Sequence, residues 1–108
     1  MRNKLNSVDI TPGEWAADQE EAERARKAIL WRVQRDLYNA AVTLGQTDAQ
    51  ATAKIDALFS TFAGEWSLYI LTGSPAIITA IQNDATIPWL NTQVDGQTIR
   101  QRLIARLS

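Results

Sequence analysis

The sequence predicts an all-α fold: a helical bundle built on one long antiparallel helical hairpin, closed by two shorter helices. Three observations carry this expectation. Apolar residues recur at steps of three and four, capping signals precede each such run, and no segment alternates convincingly as a strand would.

Residues 1–10 show no periodicity and are read as an extended arm ahead of a single helical domain over 11–108. Thr11-Pro12-Gly13-Glu14 then forms a helix start, with a capping threonine, a first-turn proline and Glu14 completing the capping box. The first helix is expected over about 12–44. Its apolar stripe is Ala22, Ala25, Ile29, Val33, Leu37, Ala40 and Leu44. Its acids (Glu14, Asp18, Glu20, Glu21, Glu23) precede its bases (Arg24, Arg26, Lys27, Arg32, Arg35), as the helix dipole favours, and Gly45 supplies the C-terminal cap.

A second capping box, Thr47 to Gln50, opens a helix expected over about 48–72. Its stripe is Ile55, Phe59, Phe62, Trp66 and Tyr69, widened by Leu58 and Ile70. The short connection makes the two helices antiparallel neighbours. Gly64 inside this run predicts a kink or a close crossing. Ser74-Pro75 opens a third helix over about 75–83, with Ile77, Ile78 and Ile81 inward. Ile87-Pro88 breaks the chain and leaves Trp89-Leu90 at a turn or a short helical bridge. Asp95 is read as the cap of a last helix over about 96–107, with Ile99, Leu103, Ile104 and Leu107 inward.

The first helix implies an unusual shape. A helix of about 33 residues is about 50 Å long, whereas a compact domain of this size has a radius of gyration of only about 13 Å. Either the helix is kinked, or the molecule is elongated and its overhang leans on a partner.

The 108 residues suit one domain, and 45% hydrophobic with 21% charged residues is too apolar for disorder. The net charge of −1 offers no overall field for nucleic acid or acidic membranes. The uncharged run from Trp66 to Asn83 approaches the length of a membrane span, but Gly73-Ser74-Pro75 divides it, and two short buried helices are expected instead. No apolar stretch follows the basic start Met1-Arg2-Asn3-Lys4, so the protein is expected to be cytoplasmic at synthesis.

Neither cysteine nor histidine occurs, which removes thiolate nucleophiles, sulfur-built metal sites and the usual acid–base group near neutral pH. The five glycines are scattered, so no phosphate-binding loop can be matched, and no cofactor or metal is expected. The acids of the first helix put pairs such as Glu14 and Asp18 on one face, but that polar first turn is where the dipole favours acids anyway. Enzyme activity is not expected.

Two features point to contacts. Residues 96–108 carry Arg100, Arg102 and Arg106 with no acid, whereas residues 36–95 carry six acids against Lys54 alone. The three arginines suit either phosphate contacts or pairing with the acidic middle of the same fold. Of the four tryptophans, Trp66 belongs to the core stripe, while Trp15, Trp31 and Trp89 lie off it. Large aromatics off a core face act either as interface anchors or as covers for the ends of a small bundle. Trp15, Trp31, Trp89, Arg100, Arg102, Arg106 and the arm are therefore the candidate partner contacts.

The whole pattern resembles the small all-helical accessory proteins of tailed bacteriophages that attach to tail, neck or baseplate. It combines an aperiodic arm, a long capped helix, Ala-, Thr- and Gln-rich helices without Cys or His, and an Arg-bearing last helix. The segment Trp89-Leu90-Asn91-Thr92-Gln93-Val94-Asp95-Gly96-Gln97-Thr98-Ile99-Arg100 shares that texture. The resemblance implies a virion part assembled in multiple copies in a bacterial cytoplasm, and it assigns no functional residue. The expected function is a non-enzymatic structural or assembly protein, with protein partners and a homo-oligomer or larger assembly. Nucleic-acid binding or regulation through the last helix is the alternative. A carboxylate-based enzyme using Glu14, Asp18 and Glu21 is a second.

Overall fold

The structure, a computed structural model, describes residues 12–108, with side chains described from Asp18 onward. The expected arm, the Thr11 cap and the side chains of Glu14 and Trp15 lie outside the described residues. The chain is all-α: α1 (Pro12–Thr43), α2 (Asp48–Thr61), α3 (Ala63–Thr72), α4 (Ala76–Asn83) and α5 (Ile99–Leu107). A 3-10 turn (Pro88–Asn91) and a two-strand hairpin, β1 (Gln93–Val94) and β2 (Gln97–Thr98), link α4 to α5.

Helix α1 is continuous over 32 residues, about 48 Å at the α-helical rise. It sets the shape, with principal extents of 53 × 25 × 25 Å and a radius of gyration of 16.8 Å. The molecule is elongated rather than kinked into a ball. Among the described residues, the α1 stripe buries only in its second half. Leu30, Val33, Leu37, Ala40 and Ala41 are buried, whereas Ala25 and Leu44 are exposed.

The chain returns along α1. The Tyr38 hydroxyl donates to Asp48 Oδ1 (2.7 Å) at the start of α2, and Arg26 Nε donates to the Ile70 carbonyl (2.8 Å) near the end of α3. The run 48–72 is not one helix, however. It breaks at Phe62, whose backbone (φ −111, ψ 34) leaves the helical region. The Leu58 carbonyl explains the break. It accepts from Phe62 N at a long 3.4 Å and also from the Trp66 indole Nε1 at 3.4 Å, so a side chain intrudes into the helical ladder. Phe59 stacks on Trp66 across the bend (centroids 4.4 Å apart, 18° between planes). No atom lies within 4 Å of where a Cβ on Gly64 would sit, so that glycine marks a kinked region and not a close crossing.

The last helix also begins later than its expected residue 96. Asp95 does not cap it. Asp95 (φ 55) and Gly96 (φ 84) form the tight turn of the hairpin, in which both central residues need positive φ. The cap is Thr98, whose hydroxyl accepts from Gln101 N while the Gln101 side chain accepts from Thr98 N.

All five helices and the hairpin share one core. Leu37, Leu58, Ile77, Ile81, Leu90, Ile99 and Leu103 are fully enclosed, each contributing about 1.5–3 kcal/mol through burial. Trp89, which the sequence leaves open between an interface anchor and a cover for the bundle's end, lies in the 3-10 turn and is part of this core at 7% exposure. The uncharged run 66–83 is divided between α3 and α4, and no helix among the described residues is long and apolar enough to cross a membrane.

Candidate functional site

The outer face of α1 carries the most exposed large apolar side chain of the described residues, Trp31, at 62% exposure. Positions spaced by three and four put Arg24, Lys27, Ala28, Trp31, Arg35 and Val42 on this side, and all are exposed. The Arg35 guanidinium lies 5.6 Å from the centre of the Trp31 ring, a cation–π contact that holds both side chains over the helix.

Two depressions flank this face. Toward α2, a groove of about 300 Å³ is lined by Trp31, Gln34, Arg35, Tyr38, Thr52, Ile55 and Asp56. The Asp48 carboxylate beside the Tyr38 hydroxyl raises that phenol's pKa, first through the hydrogen bond and then through its charge. Toward α5, a depression of about 410 Å³ is lined by Arg32, Arg35, Asp36, Asn39 and Arg106. Arg35 thus forms the ridge between an aromatic groove and an arginine-rich hollow.

The structure brings Arg102 and Arg106 together on one carboxylate. Asp36 Oδ1 accepts from Arg102 Nη1 and Arg106 Nη2, each at 3.3 Å, and its side chain is only 15% exposed. Arg102 also donates to the Val94 carbonyl (3.1 Å). Arg100 is elsewhere, at the C-terminus of α4. It donates from Nε to the Ile81 carbonyl (2.9 Å), from Nη2 to the Asp84 carbonyl (2.6 Å) and from Nη1 to the Asn91 side chain. Arg100 therefore directs all three of its nitrogens, and Arg102 its two terminal ones, at acceptors within the chain, and of the three only Arg106 has a half-exposed side chain.

Trp89 is buried, with the Lys54 ammonium 6.0 Å from its ring centre, and the two residues line a groove of about 400 Å³ with Gln46, Ala57, Ile87, Pro88 and Thr92. Of the six residues singled out from the sequence, Trp15 has its side chain outside the described residues, and Trp31 and Arg106 border the outer face of α1. Arg102 reaches that region through Asp36, while Trp89 and Arg100 serve other parts of the fold. Sequence reasoning misses Arg32, Arg35 and Asn39 as neighbours of this site. Their signal is present, because Arg32, Arg35, Asp36 and Asn39 follow the i, i+3, i+4, i+7 spacing of one helical face.

Among the described residues no group of three or more acids lies close enough to hold a metal ion. No protein-family model, curated protein or solved structure matches this chain.

Proposed function

We propose that this protein is a non-enzymatic assembly module that docks on a protein partner through the outer face of α1. The observation that carries this reading is Trp31, a tryptophan 62% exposed at mid-helix and braced by Arg35. Partly desolvated tryptophan and arginine are the side chains most often found at the energetic centres of protein interfaces. Leu68 and Leu71, both exposed on the outer side of α3, offer a second apolar strip. The resemblance to tail, neck and baseplate accessory proteins fits this reading and suggests a virion as its setting. The alternative through α5 loses Arg100 and Arg102 to internal acceptors, so a phosphate-contacting last helix has less support.

The test is a photo-crosslinking residue placed at position 31 in the producing cell, with the exposed position Thr79 as control. An adduct of one defined mass at 31 and none at 79 is the expected result. Equal, diffuse labelling at both positions would overturn the docking reading.

A further inference from the structure

We infer that the partner on the outer face of α1 is a second copy of the same chain, with the two α1 helices antiparallel about a two-fold axis between Lys27 and Ala28. The inference rests on the docking reading above and adds the identity and register of the partner. Its basis is a charge pattern that complements itself only when the helix is reversed.

Along α1 from residue 18, Asp18, Glu20, Glu21 and Glu23 precede Arg24, Arg26, Lys27, Arg32 and Arg35. Within the single chain these two blocks are largely separate. Lys27 pairs with Glu23 at 3.6 Å, and Arg26 turns inward to the carbonyls of Ile70 and Leu71. Glu20, Glu21, Arg32 and Arg35 are all exposed. Glu20 and Arg35 are fifteen residues apart, about 22 Å along the axis, so they do not meet in one copy.

Reversal of a second helix about the point between Lys27 and Ala28 sets Glu20 opposite the partner's Arg35, and Arg35 opposite the partner's Glu20. The same register places Arg24 against the partner's Trp31. That ring is 62% exposed and has area left for a second cation beyond its own Arg35. Ala28, exposed beside the axis, lets the two backbones approach. On one flank Glu21 comes within two residues of level with the partner's Arg32, a separation of about 3 Å along the axis that long side chains span. A parallel arrangement would instead stack every acid on an acid and every base on a base, whereas in the reversed one Lys27 meets its own counterpart beside the axis, each paired with its own Glu23 at 3.6 Å. The long helix supports this geometry sterically. Among the described residues its buried positions begin at Leu30; Ile29 packs against the core and Arg26 holds the end of α3, while no side chain from Asp18 to Ala25 is buried.

Exposed ion pairs are individually weak and screened by salt, so the expected dimer is concentration-dependent and weakens as salt rises. Sedimentation equilibrium of the full chain across concentration tests the proposal, together with three variants. Arg35→Glu should weaken dimerisation by about tenfold or more, because it turns two symmetry-related attractions into repulsions. Glu20→Arg alone should do the same. The double variant Glu20→Arg/Arg35→Glu should return to within about threefold of the parent. Circular dichroism of each variant checks that helicity is kept; both positions are exposed on the outer face of the helix.

A chain that stays monomeric at every concentration overturns the proposal, as does a dimer insensitive to the single reversals or one that the double reversal fails to restore. A monomer whose position 31 still gives one crosslinked adduct of foreign mass overturns the second copy while leaving the docking reading intact.

Discussion

Arg100 illustrates how far a side chain's role depends on the ends of elements other than its own. Periodicity correctly turns Ile99 and Leu103 inward and so puts Arg100 on the polar side of α5, where a charge count reads it as a surface cation. In the fold its fork reaches the Ile81 and Asp84 carbonyls and the Asn91 side chain, satisfying acceptors that the end of α4 leaves open. Arg100→Ala should lower the unfolding free energy by about 1.5–3 kcal/mol in urea titrations. Arg100→Lys should recover less than half of that, since one ammonium cannot span diverging acceptors. The neighbouring Asp84 predicts a pH effect. Its carboxylate accepts from the Thr86 hydroxyl, the Thr86 N–H and the Ile87 N–H, and these bonds, the hydroxyl foremost, hold its pKa below the usual carboxylate value. A depressed folded pKa gives stability that is present above the unfolded value near 3.8 and is lost as pH falls through the folded one. Thr86→Ala should raise the Asp84 pKa in a carboxyl NMR titration, and Asp84→Asn should flatten the acid limb of stability below about pH 4. An unchanged Asp84 titration in Thr86→Ala would mean the hydroxyl is not its main partner. Trp89 escapes a reading from sequence for a related reason. After a proline, Trp89 reads equally as an interface anchor and as a cover for the bundle's end, and only the assembled fold, which buries it in the common core beside Lys54 of α2, decides between them.

The helices themselves are legible wherever local chemistry sets their ends. Thr47 with Gln50 forms the capping box expected at the head of α2. Legibility fails where local signals compete. Asp95-Gly96 serves equally as a hairpin turn and as a helix entry, and the reading as a cap overlooks the better box three residues on, Thr98 with Gln101. The break at Phe62 has no local signal except Gly64, because its cause is the Trp66 indole reaching a carbonyl two turns back. Two glycines separate intrinsic propensity from backbone requirement. Gly64 lies in α3 with open space where a Cβ would stand and no positive φ, so Gly64→Ala should stabilise by about 0.5–1 kcal/mol. Gly73 ends α3 at φ 72, and the nearest atom to its Cβ position is Arg26 Nη1 at an ordinary 3.6 Å. Gly73→Ala should therefore cost about 1–2 kcal/mol through the left-handed backbone and not through a clash. Thermal melts of the two variants should shift in opposite directions. A destabilising Gly64→Ala would mean that the bend at Phe62 needs the glycine's freedom.

For the molecule as a whole, the sequence poses a choice between a bent helix and an elongated body, and the continuous α1 with a 53 Å long axis settles it for elongation. This shape has a consequence for how stability is distributed. Among the described residues, every buried position of α1 lies at Leu30 or beyond, and the hydrogen bond from Arg26 to the Ile70 carbonyl ties α1 to the far end of α3. From Asp18 to Ala25 no side chain is buried, so these turns can open without exposing the apolar cluster. Local opening then requires much less free energy than global unfolding. Amide exchange in the dilute Arg35→Glu variant should reflect this. Residues 33–41 should approach the protection set by global unfolding, while residues 18–25 should exchange at least about a hundredfold faster. In the parent chain at high concentration, pairing of α1 with its own copy should raise the protection of residues 18–25 and leave 33–41 nearly unchanged, because Val33, Leu37, Ala40 and Ala41 already anchor those turns in the core. Uniform protection along α1 in the dilute variant would show that the core already holds these turns, and the case for a partner would then rest on Trp31 and the charge pattern of α1.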